Sequence, residues 1–115
     1  MFHGRSPNGW DGWRFSSTPL VNSEPDGLTD ISGPTLVQRN GTTYVDHHGN
    51  VGRMRVTEAG NGFDRENHLG VFHTPIASDS DRVAASCFGT DTGTSYLFYE
   101  AGPRRNARID IARAV

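Results

Sequence analysis

Gly41-Thr42-Thr43-Tyr44-Val45 is answered 52 residues later by Gly93-Thr94-Ser95-Tyr96-Leu97. Upstream of this pair, Asp30 stands four residues before Pro34-Thr35-Leu36-Val37, as Asp81 stands before Ala85-Ser86-Cys87-Phe88. Downstream, Arg53-Met54-Arg55-Val56 is matched by Arg108-Ile109-Asp110-Ile111. Further out, Thr18-Pro19-Leu20 pairs with Thr74-Pro75-Ile76, and Asn8-Gly9-Trp10-Asp11 with Asn61-Gly62-Phe63-Asp64. The matches keep one order at offsets of 51 to 56 residues, so the chain carries a tandem repeat.

Turn residues divide each period into short strands. Residues 34–38 form an apolar run ended by Asn40-Gly41, the strongest short hairpin signal. Residues 42–46 are β-branched and aromatic, and 52–58 alternate charged and apolar side chains in the period of a half-buried strand. A fourth strand is expected at 69–75, and the second copy predicts strands at 84–89, 95–100 and 107–113. Residues 1–5 and 13–20 read as third- and fourth-strand remnants of an earlier unit. A single helical turn at 79–85 is the one helical expectation. The organisation expected is therefore one domain: 1–29 as the end of one unit and a linker, 30–78 as a unit, 79–115 as an incomplete unit.

Composition agrees with an all-β chain. Fourteen glycines and six prolines among 115 residues favour tight turns. The formal charge is −2 and all eleven cations are arginine, without a basic block, so nucleic acid is not expected as partner. No apolar run approaches the ~20 residues that cross a bilayer, and no membrane partner is expected. The start lacks the apolar core of a signal peptide, which leaves a soluble cytoplasmic protein or a secreted one with its leader missing. One cysteine, Cys87, excludes an intrachain disulfide and a cysteine-based zinc cluster.

A four-stranded antiparallel unit of ~50 residues in tandem is the pattern of a β-propeller blade. Such a sheet has two apolar faces and must stack on a neighbour. A closed propeller takes about four to eight blades, whereas this chain holds about two. A partial propeller that self-associates into a homo-oligomer is thus expected, with a two-sheet β-sandwich made by the two repeats as the alternative.

The passages around 30–63 and 80–115 also resemble blades of the five-bladed β-propeller glycosidases, the arabinanase, levansucrase and invertase-like superfamily that includes family 43 and family 32 glycoside hydrolases. The resembling features are an Asp, the Gly33-Pro34 inner strand, a Gly turn, the aromatic Tyr96-Leu97-Phe98-Tyr99-Glu100-Ala101-Gly102, and Arg108-Ile109-Asp110-Ile111-Ala112. Ser6-Pro7-Asn8-Gly9-Trp10-Asp11-Gly12-Trp13 is similar to their linker between blades. The resemblance implies a glycoside-hydrolase-like protein that acts on or binds a glycan or small sugar. It implies a carboxylate base, an acid and a supporting Asp in a central funnel. Ser32 stands where family 43 enzymes often carry the acidic Glu. This departure favours the alternative, a non-catalytic sugar-binding or interaction module.

Antiparallel geometry sets Asp30 beside Asp46, His47 and His48 at one sheet edge, and Asp81 beside Glu100, Arg104 and Arg105. Asp30, Asp81 and Glu100 are the catalytic candidates, against which Asp in a strand-joining turn and Glu at a rim are the structural readings. His47, His48, Trp13 and Arg104 are the candidate sugar contacts. The competing readings are solvated turn histidines, a hairpin arginine, and a packing role for the tryptophans, since Trp10 matches Phe63 in the repeat. Successive strand residues face opposite ways, so His47 and His48 do not ligate one ion unless the turn bends. Cys87 reads as a small core hydrophobe. No phosphate loop, nucleophile elbow or zinc-protease helix is present, and neither a metal nor a cofactor is expected.

Overall fold

The computed structural model describes all 115 residues, Met1–Val115. Nine strands form three antiparallel sheets: β1 (Gly4–Arg5) with β2 (Arg14–Phe15); β3 (Ile31–Arg39), β4 (Thr42–Gly49), β5 (Met54–Glu58) and β6 (Asn67–His73) in that order; and β7 (Val83–Asp91), β8 (Thr94–Ala101) and β9 (Arg108–Arg113). The all-β class is borne out, and the sheets do not close on one another into a ring. Single 3₁₀ turns at Glu24–Asp26 and Ala77–Asp79 precede the second and third sheets. The helical turn therefore ends at Asp79, where the expected one begins, and residues 83–85 of the expected turn enter β7. No helix is long and apolar enough to cross a membrane.

The repeat returns in the ladders, but the first strand of each unit is shifted by one residue from its sequence match, so that Phe88 answers Leu36 and not Val37. Leu36 pairs with Val45 and Val37 with Tyr44 in the second sheet; 52 residues on, Phe88 pairs with Leu97 and Gly89 with Tyr96. Asp46–Val56 of the β4–β5 ladder has its counterpart in Phe98–Ile111. Even the irregularity recurs, between Ser32 and Thr35 and again between Ala84 and Cys87. Gly33 (φ 64°) and Ala85 (φ 48°) sit at these bulges in the left-handed region, which costs an L-residue and not glycine.

Alternation along β4 sends Thr43, Val45 and His47 to one face and Tyr44, Asp46 and His48 to the other. Val45 packs with Leu20, Val21 and Ala59 under the N-terminal layer, whose chain is tied down by Leu20 N–H donating to the Met1 carbonyl at 2.7 Å. On the opposite face Met54 packs with Val83, Leu97, Tyr99 and Ala101 of the third sheet. The second sheet is thus the middle layer of three.

Three expectations are corrected by this layering. His47 is not a solvated turn residue: β4 runs on to Gly49, and His47 is only 1% exposed. Cys87 is exposed, because the bulge at Ala85 turns it to the outer face of the third sheet. Trp10 does not share the packing role of Phe63. It is 89% exposed in the loop between β1 and β2, whereas Phe63 packs against the core under the N-terminal layer.

Candidate functional site

Tyr44, Asp46 and His48, spaced by two along β4, line the seam between the second and third sheets. Each meets a different environment there. At one end, His48 Nδ1 accepts the Ala85 N–H at 3.2 Å and Nε2 lies 3.0 Å from Ser32 Oγ. This arrangement uses the neutral ring with its proton on Nε2. Burial lowers the His48 pKa; Arg82 and Arg104 push it down further, while Glu100 and Asp30 oppose them.

The carboxyl of Asp46 lies mid-seam, 2% exposed, and accepts a hydrogen bond from Ser86 Oγ of β7. Thr35 Oγ1 donates to the Ser86 carbonyl at 2.6 Å, which fixes the two sheets against each other at this point. Burial raises the Asp46 pKa to about 7, and the Ser86 hydrogen bond only partly offsets it.

Beyond Asp46 the seam opens into a cleft of about 340 Å³. Tyr44, Phe72 and Phe88 wall it with Leu69, Arg39 stands beside them, and Asp46 is its sole carboxyl. Phe72 and Phe88 approach with ring centroids 6.1 Å apart, one from each sheet. Aromatic walls with a few convergent polar groups and one carboxyl of shifted pKa are the usual make-up of a small-ligand site.

The sequence-predicted residues fall in several places. Asp30, His48, Glu100 and Arg104 come together at the His48 end, close enough to act on its charge. Glu100 is held there by Arg82, whose Nη1 donates to it at 2.6 Å and to the Gly102 carbonyl at 2.8 Å. Asp30 and Asp81 are exposed and neither lines the cleft. Asp81 follows Ser80 in a left-handed turn, φ 60° after 51°. Trp13 lies in the N-terminal layer, stacked on Phe15 at 6.2 Å, away from the seam.

His47 faces the other way. Its Nε2 lies 3.1 Å from Thr57 Oγ1, beside Asp26 and His68, and these three residues could together hold a metal ion. Sequence reading missed Asp26 and His68, and also the cleft residues Arg39, Phe72 and Phe88. The signal available for the cleft was the alternation Tyr44-Asp46-His48, which puts one aromatic, one carboxyl and one imidazole on the same face of β4. Compared with protein-family models, with curated proteins and with solved structures, the chain matches none of them.

Proposed function

We propose that the chain is a glycan-binding module of propeller-type, glycoside-hydrolase-like build, which holds a small sugar in the cleft beside Asp46 and does not hydrolyse it. The observation that carries this reading is the juxtaposition of aromatic walls, one guanidinium and one carboxyl in a single cleft between two repeated sheets. Sugar C–H faces stack on aromatic rings, and hydroxyls accept hydrogen bonds from Arg39 and donate them to Asp46. Hydrolysis needs two carboxyl groups flanking the bond, and Asp46 is the only one lining the cleft. The repeated registers and bulges support the propeller-type build.

A hexose has about twelve heavy atoms; at ~0.3 kcal/mol per atom this gives a Kd on the order of millimolar. Titration of the ¹⁵N-labelled chain with monosaccharides and short oligosaccharides is expected to shift Tyr44, Asp46 and Phe88 amides. Phe88→Ala and Asp46→Asn should each weaken that binding at least about tenfold. Shifts confined to other residues, or none at tens of millimolar sugar, would overturn the reading. Release of chromophore from aryl glycosides would overturn its non-hydrolytic part.

We also propose that copies self-associate head to tail. The outer face of the third sheet carries Ile109, Ile111 and Phe98, 68%, 61% and 37% exposed. By the repeat, it corresponds to the face of the second sheet that the third sheet covers. The N-terminal layer exposes Phe2 and Phe15, 60% and 72%, on the opposite end of the stack. A second copy offers the third sheet the same kind of cover that the second sheet already has.

A further inference from the structure

We propose that Asp26, His47 and His68 form a binding site for a divalent first-row transition-metal ion, with Zn²⁺ as the probe, and that Glu66 orients His68 from behind. The site lies on the face of the second sheet opposite the cleft and is independent of the sugar reading.

Three elements converge there. Asp26 ends the 3₁₀ turn that enters the second sheet, His47 projects from β4 and His68 from β6. One ligand atom from each lies within 4.8 Å of the other two. Ligands around a zinc ion at ~2.1 Å stand ~3–3.5 Å apart, so closure needs a movement of about 1 Å. Asp26 Oδ2 and His68 Nδ1 are already 2.9 Å apart. The Thr57 hydroxyl bridges the rest, 3.1 Å from His47 Nε2 and 3.5 Å from His68 Nδ1. Two imidazoles and one carboxylate are a donor set suited to zinc, iron or nickel, and three protein ligands leave a position for water.

The surrounding groups have the arrangement that metal ligands require. His68 Nε2 lies 2.9 Å from Glu66 Oε1, which fixes the ring with Nδ1 toward the site. Glu66 is itself held by the Asn22 side-chain amide at 2.8 Å and by the Asn22 N–H. Asp26 Oδ1 accepts from Arg55 Nη1 at 2.9 Å, and Oδ2 is engaged by His68 Nδ1 in the one hydrogen bond that the ion would replace. The Arg55 charge opposes a cation, and the Asp26 and Glu66 charges favour it. Support of this kind reaches His68 and Asp26; the other ring nitrogen of buried His47, Nδ1, has no hydrogen-bond partner.

The repeat supplies an internal comparison. In the third sheet the equivalent corner also ties a turn Asp to a strand Arg, Asp79 to Arg108 at 3.3 Å, although Arg108 holds the repeat position of Arg53 and Asp110 that of Arg55, and it places Tyr99 at the position of His47. An Asp–Arg pair therefore suffices to tie the turn to the sheet. The two histidines are additional to that structural need, and they occur only where three donors meet.

The test is Zn²⁺ titration of the intact chain by calorimetry in a Cys87→Ser background, which removes the one thiol. One ion per chain is expected, with at least a hundredfold weaker binding in His68→Gln and about 10–100-fold weaker in Glu66→Gln. His73→Gln, remote from the site, should bind as the parent does. Co²⁺ supplies a second readout in the unmutated chain, where paramagnetic shifts should fall on the His47 and His68 rings. That readout decides the matter if His68→Gln fails to fold. No binding at millimolar Zn²⁺, retention of full affinity in a folded His68→Gln, or Co²⁺ shifts centred on other histidines would each overturn the site.

Discussion

Asp46 and His47 are consecutive in β4 and leave it on opposite faces, Asp46 to accept from Ser86 Oγ across the seam and His47 to meet Thr57 Oγ1 within its own sheet. Both are buried, and burial acts on them in opposite directions. It raises Asp46 from 3.8 to about 7 and lowers His47 from 6.5 to about 4. Between these limits the folded chain holds a proton on Asp46 that the unfolded chain releases, so stability falls as pH rises from about 4 to about 7. The folded chain refuses a proton at His47 that the unfolded chain accepts, so stability falls as pH drops from 6.5 to about 4.

Each slope is on the order of 1.4 kcal/mol per pH unit, and over pH 4–6.5 they offset each other. Asp46→Asn is expected to expose the His47 slope, making stability climb with pH up to about 6.5. Above that, His68 adds a fall. Desolvation works against its charge, but hydrogen bonds to Glu66 and Asp26 outweigh it and raise its pKa. Its contribution is full below 6.5 and is lost as pH passes its folded value. Urea midpoints at half-unit pH steps check this; an Asp46→Asn profile parallel to that of the parent would contradict it.

The two bulges make a prediction about backbone strain. Ala85 carries φ 48° where its repeat counterpart Gly33 carries 64°. A Cβ at Gly33 would stand 2.7 Å from His48 Cε1. Ala85→Gly is expected to gain up to about 1 kcal/mol, and Gly33→Ala to lose ~1–3 kcal/mol. Urea unfolding with an unchanged m-value measures both; a stabilised Gly33→Ala would refute the account.

Much of the architecture was legible because it is local. Asn40-Gly41 and the alternation in 52–58 name the turns and the strands, and the offsets of 52 and 55 residues return in the ladders of β4 and β8. The environment of β4 was not legible. His47-His48-Gly49-Asn50 carries turn chemistry, yet pairing with β3 and β5 extends the strand through Gly49. Burial of His47 and Asp46 is imposed by the flanking layers and leaves no local trace. Asp26 and His68 stand 42 residues apart in the sequence and meet only because the turn before β3 crosses beneath β6.

Glu100 and Asp30 are predicted to be dispensable for sugar binding, since neither lines the cleft. Glu100 instead accepts from Arg82, in a pair 22% and 31% exposed. An ion pair this open is worth at most about 1 kcal/mol. Glu100→Gln should therefore lower stability by no more than that and leave the sugar-induced amide shifts intact, as should Asp30→Asn. Loss of those shifts in either variant, with folding preserved, would move the site to the His48 end of the seam.

Head-to-tail stacking has a signature that separates it from a face-to-face dimer. Ile111→Glu places a charge on the outer face of the third sheet, and Phe15→Ser removes an exposed ring from the N-terminal layer. Burying a charge without a partner is unfavourable, so each variant alone should sediment as a monomer at concentrations where the parent associates. Mixed, they are expected to form a dimer and nothing larger, because one copy keeps an intact outer face and the other an intact N-terminal layer. A two-fold interface formed by the outer faces alone would instead leave Ile111→Glu unable to pair with any copy and Phe15→Ser fully dimeric. Sedimentation of the two variants, separate and mixed, decides between these geometries, and a parent that remains monomeric at several hundred micromolar removes both.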